Sequence, residues 1–595
     1  MMFRTPVVAF LLAGVASAQV TERVSLGLGG MQATSPSQPP QFGRYVSANG
    51  RYVGFTGVSS LAGFTILGPV ALLRDRLTST TECVSVDSAG SARVASAYQG
   101  LAVSGDGRYV AYFSEANDLV PGDTNSVADI FLRDRLNGTT ERVSVDSSGA
   151  ESNGQSMYPA VTDDGRFVVF SSQADNLVAG DTNGVFDVFV RDRQLGTTER
   201  VSVSGAGAQA NNASGLATIS ADGRYVAFGS AATNLVSGDT NGHLDYFVHD
   251  RHTGATLLVS VASDGTQADR DTQNGMISGN GRFVAFRSDA TNLVAGDVSG
   301  FADIFVHDLQ LGTTERVSLG MGGLDADGDS GWPGISDDGR FVSFSSAAGN
   351  LVPGGIPYHG DVFVYDRQNA STEIVSTTTG GSMCNWSSIS PSISADGRYV
   401  AFSSMATDLV PNDTNGYTDI FLHDRHSSGF TSLCDPGVNN VIACPCGNPP
   451  IGPGRGCNNS SFTGGAFLTA SGIAYLAQDS LVFTTQLEKP TATSVLLQGT
   501  SSATNGFVFG QGVRCAGGQL KRMYVKIAVN GSITAPDGST NDLPVSARSA
   551  QFGLPIQPGQ PYVYQVYYRD STVLGGCNAL STFNCTQAGS VTFWP

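Results

Sequence analysis

A short string recurs along the first three-quarters of the chain, and its spacing limits the possible folds more than any other feature. Its clearest copy is Ser-Ala-Asp-Gly-Arg-Tyr-Val-Ala-Phe-Ser-Ser at residues 394–404. The arginine of the string stands at Arg51, Arg108, Arg166, Arg224, Arg282, Arg340 and Arg398. Successive differences are 57 residues once and 58 residues five times. A fixed period of this length is typical of a repeat protein in which each unit forms one small sheet or helix pair.

Each unit contains four short runs of strand-forming residues. In the third unit these are 158–162, 166–171, 187–190 and 198–203. Aromatic and β-branched residues in these runs favour strands, and the Asp-Gly dipeptide between the first two favours a tight hairpin. Seven units of four antiparallel strands predict an all-β fold, a seven-bladed β-propeller.

The N-terminal segment 21–26 copies the last strand of a unit, although nothing of that unit precedes it. We expect it to form the outer strand of the seventh blade, which closes the ring and removes an exposed sheet edge. Segment 430–434 has the right spacing for the same place but not the pattern, and it is the alternative.

The repeated string resembles the WD40-like propeller repeat of the bacterial TolB family, and the resemblance covers residues 21–433. It implies a propeller in an exported protein. Propellers of this type serve as binding platforms, sensors and enzyme accessories, so the resemblance implies no single activity. The loops of this chain are longer than those of TolB, and TolB's own partners are therefore not carried over.

The sequence outside the repeats predicts export and a second domain. Residues 1–18 have the layout of a secretory signal peptide, with Arg4, an apolar run and Ala16-Ser17-Ala18 before the expected cleavage. We expect residues 19–433 to be the propeller, 434–465 a linker rich in Cys, Pro and Gly, and 466–595 a smaller, disulfide-rich β-sandwich-like domain. Seven of the nine cysteines follow residue 433, as expected for a disulfide framework outside the cytoplasm.

Charge and hydropathy limit the partners. The net charge is −18, and the lysines are Lys489, Lys521 and Lys526, all beyond the repeats. Such a surface repels phosphate backbones and anionic lipid, so no nucleic acid is expected as a partner. Beyond the N-terminus no apolar run reaches the roughly 18 to 20 residues that cross a bilayer, so no membrane insertion is expected. An envelope protein or a polysaccharide is the expected partner of a secreted, periplasmic or cell-surface protein.

A loop of the form Asp-Thr-Asn-(Gly/Ser)-x-x-Asp occurs in four units and is a candidate calcium site. Alternating oxygen ligands followed by a further Asp let a tight loop wrap a hard cation such as Ca²⁺. The alternative is that the Asp and Asn side chains form Asx-turns. The candidate ligands are Asp123, Asn125 and Asp129; Asp181, Asn183 and Asp187; Asp239, Asn241 and Asp245; and Asp413, Asn415 and Asp419.

The first strand of each unit should line the central channel of the propeller, where differences between units point to a ligand site. The variable position of this strand carries Tyr158, Asn274 and Trp332, and Trp386 lies nearby in sequence. Aromatic faces with a few amides suit sugars or peptide segments. The alternative is ordinary packing between blades.

Catalytic motifs are mostly absent from the sequence, which contains neither His-Glu-x-x-His nor Gly-x-Ser-x-Gly. We therefore expect no catalytic residues and a binding or scaffold protein of the cell envelope, stabilised by calcium, with its ligand at the channel mouth. The alternative is a carbohydrate-active hydrolase or lyase that uses channel-facing carboxylates. The aspartate that ends the third strand of every unit is expected to be part of the scaffold.

Overall fold

The computed structural model describes residues 20–593 with short gaps, and it divides them into two compact units, Val20–Arg425 and His426–Pro595. The gaps are 41–42, 66–67, 94–99, 379–381, 426–430, 435, 438–440, 451–454, 472–473, 475–478, 480, 538–539, 558–559 and 573–581. The expected signal peptide lies outside the described residues. The division at Arg425 precedes the expected boundary at 433, because Thr431–Cys434 pairs with Ala588–Thr592 of the second unit.

The first unit consists of seven antiparallel sheets, one per repeat, so the predicted all-β propeller is confirmed. Their strands are Tyr52–Val58, Pro69–Asp75 and Thr80–Cys83 in blade 1; Leu101–Val103, Tyr109–Ser114, Asp129–Asp134 and Thr139–Arg142 in blade 2; Ser156–Val161, Phe167–Ser172, Asp187–Asp192 and Thr197–Arg200 in blade 3; Ser214–Ile219, Tyr225–Ser230, Asp245–Asp250 and Ala255–Leu258 in blade 4; Thr272–Ile277, Phe283–Ser288, Asp303–Asp308 and Thr313–Arg316 in blade 5; Ser330–Ile335, Phe341–Ser346, Asp361–Asp366 and Ser371–Ile374 in blade 6; and Ser388–Ile393, Tyr399–Ser404 and Asp419–Asp424 in blade 7. Within each blade we call these strands a to d, from the channel outwards.

Strand d of blade 7 comes from the other end of the unit. Val20–Arg23 pairs antiparallel with Asp419–Asp424, with Val20 opposite Asp424 and Arg23 opposite Phe421. The ring therefore closes through a sheet built from both ends of the unit, which removes the exposed edge that strand c would otherwise leave. In blade 1 the inner strand is reduced to a bridge between Val46 and Val53.

An arginine–aspartate pair joins strands b and c in every blade. The arginine of the repeated string donates two hydrogen bonds, from Nε and Nη2, to the aspartate that ends strand c, at 2.6 to 3.1 Å. This two-pronged geometry is the strongest that a guanidinium and a carboxylate form. The seven aspartates are Asp75, Asp134, Asp192, Asp250, Asp308, Asp366 and Asp424, and their expected scaffold role is confirmed.

Neighbouring blades are joined through the aromatic residue of the repeated string. The ring of Tyr52 in blade 1 lies between Arg51 of its own blade and Arg135 of blade 2, whose guanidinium carbons are 4.8 and 4.5 Å from the ring centroid. Arg135 also pairs with Glu82 on strand d of blade 1. The turn glycine of blade 2 sits against the same ring: Gly107 has φ +72°, and a Cβ there would lie 2.0 Å from Tyr52 Cδ2. Stacking and ion pairing therefore act at the same blade boundary.

The second unit is built from two antiparallel sheets and one helix. The larger sheet has the order Thr431–Cys434, Ala588–Thr592, Pro561–Arg569, Thr493–Phe509 and Gly512–Ile527, with Phe583–Cys585 beside Pro561–Arg569. The smaller sheet contains Phe467–Ser471, Val482–Gln486 and Thr534–Ala535, and the helix is Val545–Gln551. Side chains of both sheets share one core, in which the rings of Phe483 and Tyr564 are 4.5 Å apart. The expected smaller β-sandwich-like domain is confirmed.

Cysteines in the second unit are partly cross-linked. Cys444 and Cys457 form a disulfide with each other, and Cys446 and Cys515 each take part in a disulfide as well. Among the described cysteines, Cys83, Cys384 and Cys585 are free and buried.

In the part of the chain that the structure describes, no helix is long and apolar enough to cross a bilayer.

The arginine–aspartate pairs predict how stability depends on pH. Hydrogen bonds from Arg51 and Arg108 lower the pKa of Asp75 and Asp134 to about 2, whereas an unfolded aspartate has a pKa of about 3.9. A carboxyl whose pKa is lowered by folding stabilises the fold above its unfolded pKa and loses that contribution as the pH falls. We expect the urea midpoint of the protein to fall steeply between about pH 4 and pH 2.

Two single variants check the source of this dependence. Asp134→Asn removes one titrating carboxylate from the pairs and should make the urea midpoint less dependent on pH below pH 4. Glu115→Gln, at an exposed glutamate that takes no part in these pairs, should leave the dependence unchanged. Equal pH slopes for wild type and Asp134→Asn would contradict the assignment.

Candidate functional site: the channel and its mouth

The inner strands share one backbone distortion that shapes the channel mouth. At the variable position of strand a the backbone is left-handed although the residue is not glycine, with φ of 50 to 55°. The ladder between strands a and b is interrupted at the same place. Such backbone is costly for residues with a Cβ and is held here by the pairing on both sides. The residues are Tyr158, Leu216, Asn274, Trp332 and Ser390.

Blades 3, 4 and 5 form an apolar pocket of about 350 Å³ at this level. Tyr158, Leu216 and Asn274 line it. Its floor includes Tyr246, whose hydroxyl lies 2.9 Å from the carbonyl oxygen of Leu216 and 2.7 Å from that of Gly275, so these two oxygens share its one proton. Gly275 makes room for that ring, because a Cβ there would lie 2.3 Å from Tyr246 Cε1.

Blades 6 and 7 form a second pocket of about 260 Å³, which we call the tryptophan cleft. Trp332 and Trp386 line it and are 38 % and 57 % exposed. Ile389 and Met405 add exposed apolar surface. The remaining described lining residues are Gln38, Pro39, Ser387, Ser390, Ser403, Ser404 and Thr418, so the described lining carries no charged side chain.

The four residues predicted as one ligand surface therefore lie in two pockets. Tyr158 and Asn274 belong to the pocket of blades 3 to 5, whereas Trp332 and Trp386 belong to the tryptophan cleft. Asn274 and Trp332 also line the channel between them. A ligand that contacts all four must extend across the channel mouth.

Arg44 crosses the channel below the mouth and holds two carboxylates. Its Nη1 donates to Asp163 of blade 3 at 3.0 Å, and its Nη2 donates to Asp337 of blade 6 at 2.6 Å. Glycines of the preceding blades leave space for both aspartates: a Cβ at Gly105 would lie 2.6 Å from Asp163 Cγ, and one at Gly279 would lie 2.4 Å from Asp337 Cγ. The bridge ties three blades together across the ring.

Sequence reasoning missed Arg44, although a signal was present. The corresponding residue of the other units is Leu101, Pro159, Ala217, Gly275, Pro333 or Pro391. Arg44 is thus the one charged residue at this register in the seven units. Its partners are also the two acidic residues at the position after the closing Ser or Thr of strand a, where the other units have Ala or Gly.

Three of the four predicted calcium loops contain an arginine between their two aspartates. In blade 3, Arg200 Nη1 lies 3.0 Å from Asp181 Oδ1 and 3.5 Å from Asp187 Oδ2. Asn183 donates to Asp187 at 2.8 Å. The guanidinium supplies the positive charge that two buried carboxylates require. Arg142 in blade 2 and Arg23 in blade 7 have the same place, and so does Arg316 beside Asp297 and Asp303 of blade 5.

The fourth predicted loop, from Asp239 to Asp245, has Leu258 where the others have arginine. Among the described residues no group of three or more His, Cys, Asp and Glu side chains could hold a metal. A cation at any of these loops would therefore draw its further ligands from amide, hydroxyl, backbone or water oxygens.

No family model and no curated protein matches the sequence. Solved structures do resemble it. An oligogalacturonate lyase from Vibrio parahaemolyticus is 12 % identical with a TM-score of 0.43, over 68 % of this chain and 97 % of that one. TolB from Acinetobacter baumannii is 17 % identical with a TM-score of 0.30, over 63 % and 81 % of the two chains. These values transfer neither a ligand nor an activity, and the assignment of this chain as a seven-bladed propeller rests on its own seven sheets.

The Arg44 bridge predicts a measurable coupling across the ring. Arg44→Met leaves Asp163 and Asp337 facing each other without a cation, and burial already raises the pKa of Asp337. We expect a loss of about 1–3 kcal/mol in the free energy of unfolding, the usual cost of losing a charged hydrogen-bond partner. Adding Asp337→Asn to Arg44→Met should recover part of this loss in a double-mutant cycle. An Arg44→Met protein as stable as wild type would contradict a structural role of the bridge.

Proposed function

We propose that the protein is an exported, non-catalytic binding protein whose ligand is an uncharged polysaccharide of the cell envelope, held at the channel mouth with the tryptophan cleft as its main contact. The observation that carries this proposal is the pair of exposed tryptophans on a concave, uncharged surface. Export rests on the sequence of residues 1–18, and the disulfide Cys444–Cys457 is in keeping with it.

The chemistry of the cleft favours sugars over other ligand classes. Indole faces stack on the apolar faces of pyranose rings, and serine, threonine and glutamine side chains at the rim can exchange hydrogen bonds with sugar hydroxyls. Gln38, Ser387 and Thr418 provide such groups. The net charge of −18 disfavours acidic polymers by repulsion, so an uncharged glycan fits better than an anionic one.

The proposal predicts that binding depends on both tryptophans. With the full mature chain and a panel of soluble neutral glycans, affinity electrophoresis should detect retardation by one glycan class. Trp332→Ala and Trp386→Ala should each weaken that binding about tenfold or more, because an aromatic anchor in a cleft is worth on the order of 1–2 kcal/mol.

Tyr358→Ala is the matched control. This tyrosine is 84 % exposed on the same blade as Trp332 but lines neither pocket, so its removal should leave glycan binding unchanged. Retention of wild-type affinity in both tryptophan variants would overturn the assignment of the cleft. If wild type binds extended peptides and no glycan, the ligand is a protein segment and not a polysaccharide.

A carbohydrate-active hydrolase or lyase is the second candidate function, and the observation that favours it is the pair Asp163 and Asp337 in the channel. Both carboxylates bind Arg44 through Oδ1, which pins them in a fixed geometry. Degradation of a polysaccharide by wild type that Asp163→Asn or Asp337→Asn abolishes would favour catalysis, whereas binding without degradation favours the first function.

A further inference from the structure

One position of strand d lies opposite the residue in the middle of strand c. As a rule, the residue at this position balances the charge of the aspartates in the loop before strand c. Arginine stands there in blades 2, 3, 5 and 7, paired in register with Phe131, Phe189, Phe305 and Phe421, and each arginine contacts the two aspartates of its loop. In these four blades a guanidinium therefore accompanies the two buried aspartates.

Two blades that lack the arginine have lost negative charge at the same place. Blade 1 has Cys83 at this register and Val70 where the other blades have the aspartate that begins strand c. Blade 6 has Ile374, retains Asp361, lacks the first aspartate, and places His359 Nδ1 3.0 Å from Asp361 Oδ2. In both blades the charge of the loop is reduced or balanced.

Blade 4 breaks this rule. Leu258 stands opposite Phe247, yet Asp239 and Asp245 are both retained. No ion pair in the described part of the chain involves either aspartate, and the neighbouring His243 is directed to Asp271, with Nδ1 3.2 Å from its Oδ1. Two carboxylates are left at the site of the missing guanidinium.

Strand d of blade 4 has also lost a second charged residue, but the opposite charge that would pair with it is lost as well. The loss at Leu258 differs, because there the opposite charges remain. Strand d of blade 4 has Leu257 where other blades carry the glutamate of the inter-blade ion pair, and blade 5 has Leu309 where its partner arginine would be. Both charges of that pair are absent together. At Leu258 only the positive charge is absent.

One oxygen of each aspartate is buried without a hydrogen bond of normal geometry. Asp245 is 0 % exposed; its Oδ1 accepts from Ser260 at 2.6 Å, whereas its buried Oδ2 has no hydrogen bond of normal geometry and only the Asn241 side chain beside it. Asp239 is 9 % exposed, and its buried Oδ1 also has none. A buried carboxylate with an open oxygen is costly unless a cation or a proton meets it.

We propose that blade 4 binds one calcium ion, or a hard cation of the same class, between Asp239 Oδ1 and Asp245 Oδ2, where the other blades place a guanidinium. Oxygen donors of this kind suit calcium and other hard cations, and backbone carbonyls, the Asn241 amide or water complete the shell. The loops of blades 2, 3, 5 and 7 bind none, because their arginine already occupies the site.

The experiment is calcium titration of the full mature chain by isothermal calorimetry, after chelator treatment and dialysis. Wild type should bind one Ca²⁺ per chain, and Ca²⁺ should raise its melting temperature as expected for a ligand that binds only the folded state. Leu258→Arg should abolish both effects, since it restores the residue that four other blades carry. Asp245→Asn should also abolish binding.

Two controls are needed. One tests whether a change in side-chain packing at residue 258 alters binding, and the other tests whether a loop that contains an arginine binds calcium. Leu258→Met keeps an apolar side chain of similar volume and should retain one Ca²⁺ per chain. Asp187→Asn, in the loop of blade 3 that Arg200 fills, should leave the stoichiometry at one. Absence of calcium binding by wild type would overturn the proposal, and so would equal binding by Leu258→Arg or a stoichiometry that falls in Asp187→Asn.

Discussion

The two-pronged bond between the arginine of the repeated string and the aspartate that ends strand c is the contact on which the propeller depends. It fixes the turn-side ends of strands b and c to each other, as between Arg108 and Asp134. It also holds the guanidinium near the aromatic residue that follows, with its carbon 4.7 Å from the Tyr109 centroid. The next blade adds Arg193, whose guanidinium carbon is also 4.7 Å from that centroid. One short string thus forms the turn, joins strands b and c and contacts the next blade. These three roles explain why the string recurs while the loops vary.

Much of the fold could be predicted from the sequence, because the interactions that determine it act between residues close together in the chain. The period of 58 residues, the alternation of each run and the Asp-Gly turn all act within one unit. The copy of strand d at 21–26 led to the expected pairing across the ring, and the structure places Val20–Arg23 beside Asp419–Asp424. The end of the first unit was harder to place, because Thr431–Cys434 has strand chemistry and only its partner, Ala588–Thr592, decides to which unit it belongs.

The site could be predicted only in part, because it depends on distances around the ring. Sequence comparison of the units identified Trp332 and Asn274 as unusual, but it could not tell that the structure places them in different pockets. It likewise could not show that Arg44 reaches Asp163 and Asp337, which are far away in sequence and belong to different blades. The arginine inside the Asp-Thr-Asn loops was hidden for the same reason, since the oxygen pattern alone resembles a calcium loop.

Departures from the repeat are informative in this protein, because each blade can be compared with six other copies of the same repeat. Blade 4 concentrates them: beside Leu257 and Leu258 it carries Gly229, and it carries Tyr246 where other blades have Ala, Ile or Val. Asp245 and Tyr246 are consecutive on one strand, so their side chains lie on opposite faces of the sheet. The first contributes the unpaired carboxylate, and the second bonds to two inner strands that frame the pocket of blades 3 to 5. Blade 4 thus places the proposed cation site and a ring that lines the pocket of blades 3 to 5 on consecutive residues of one strand.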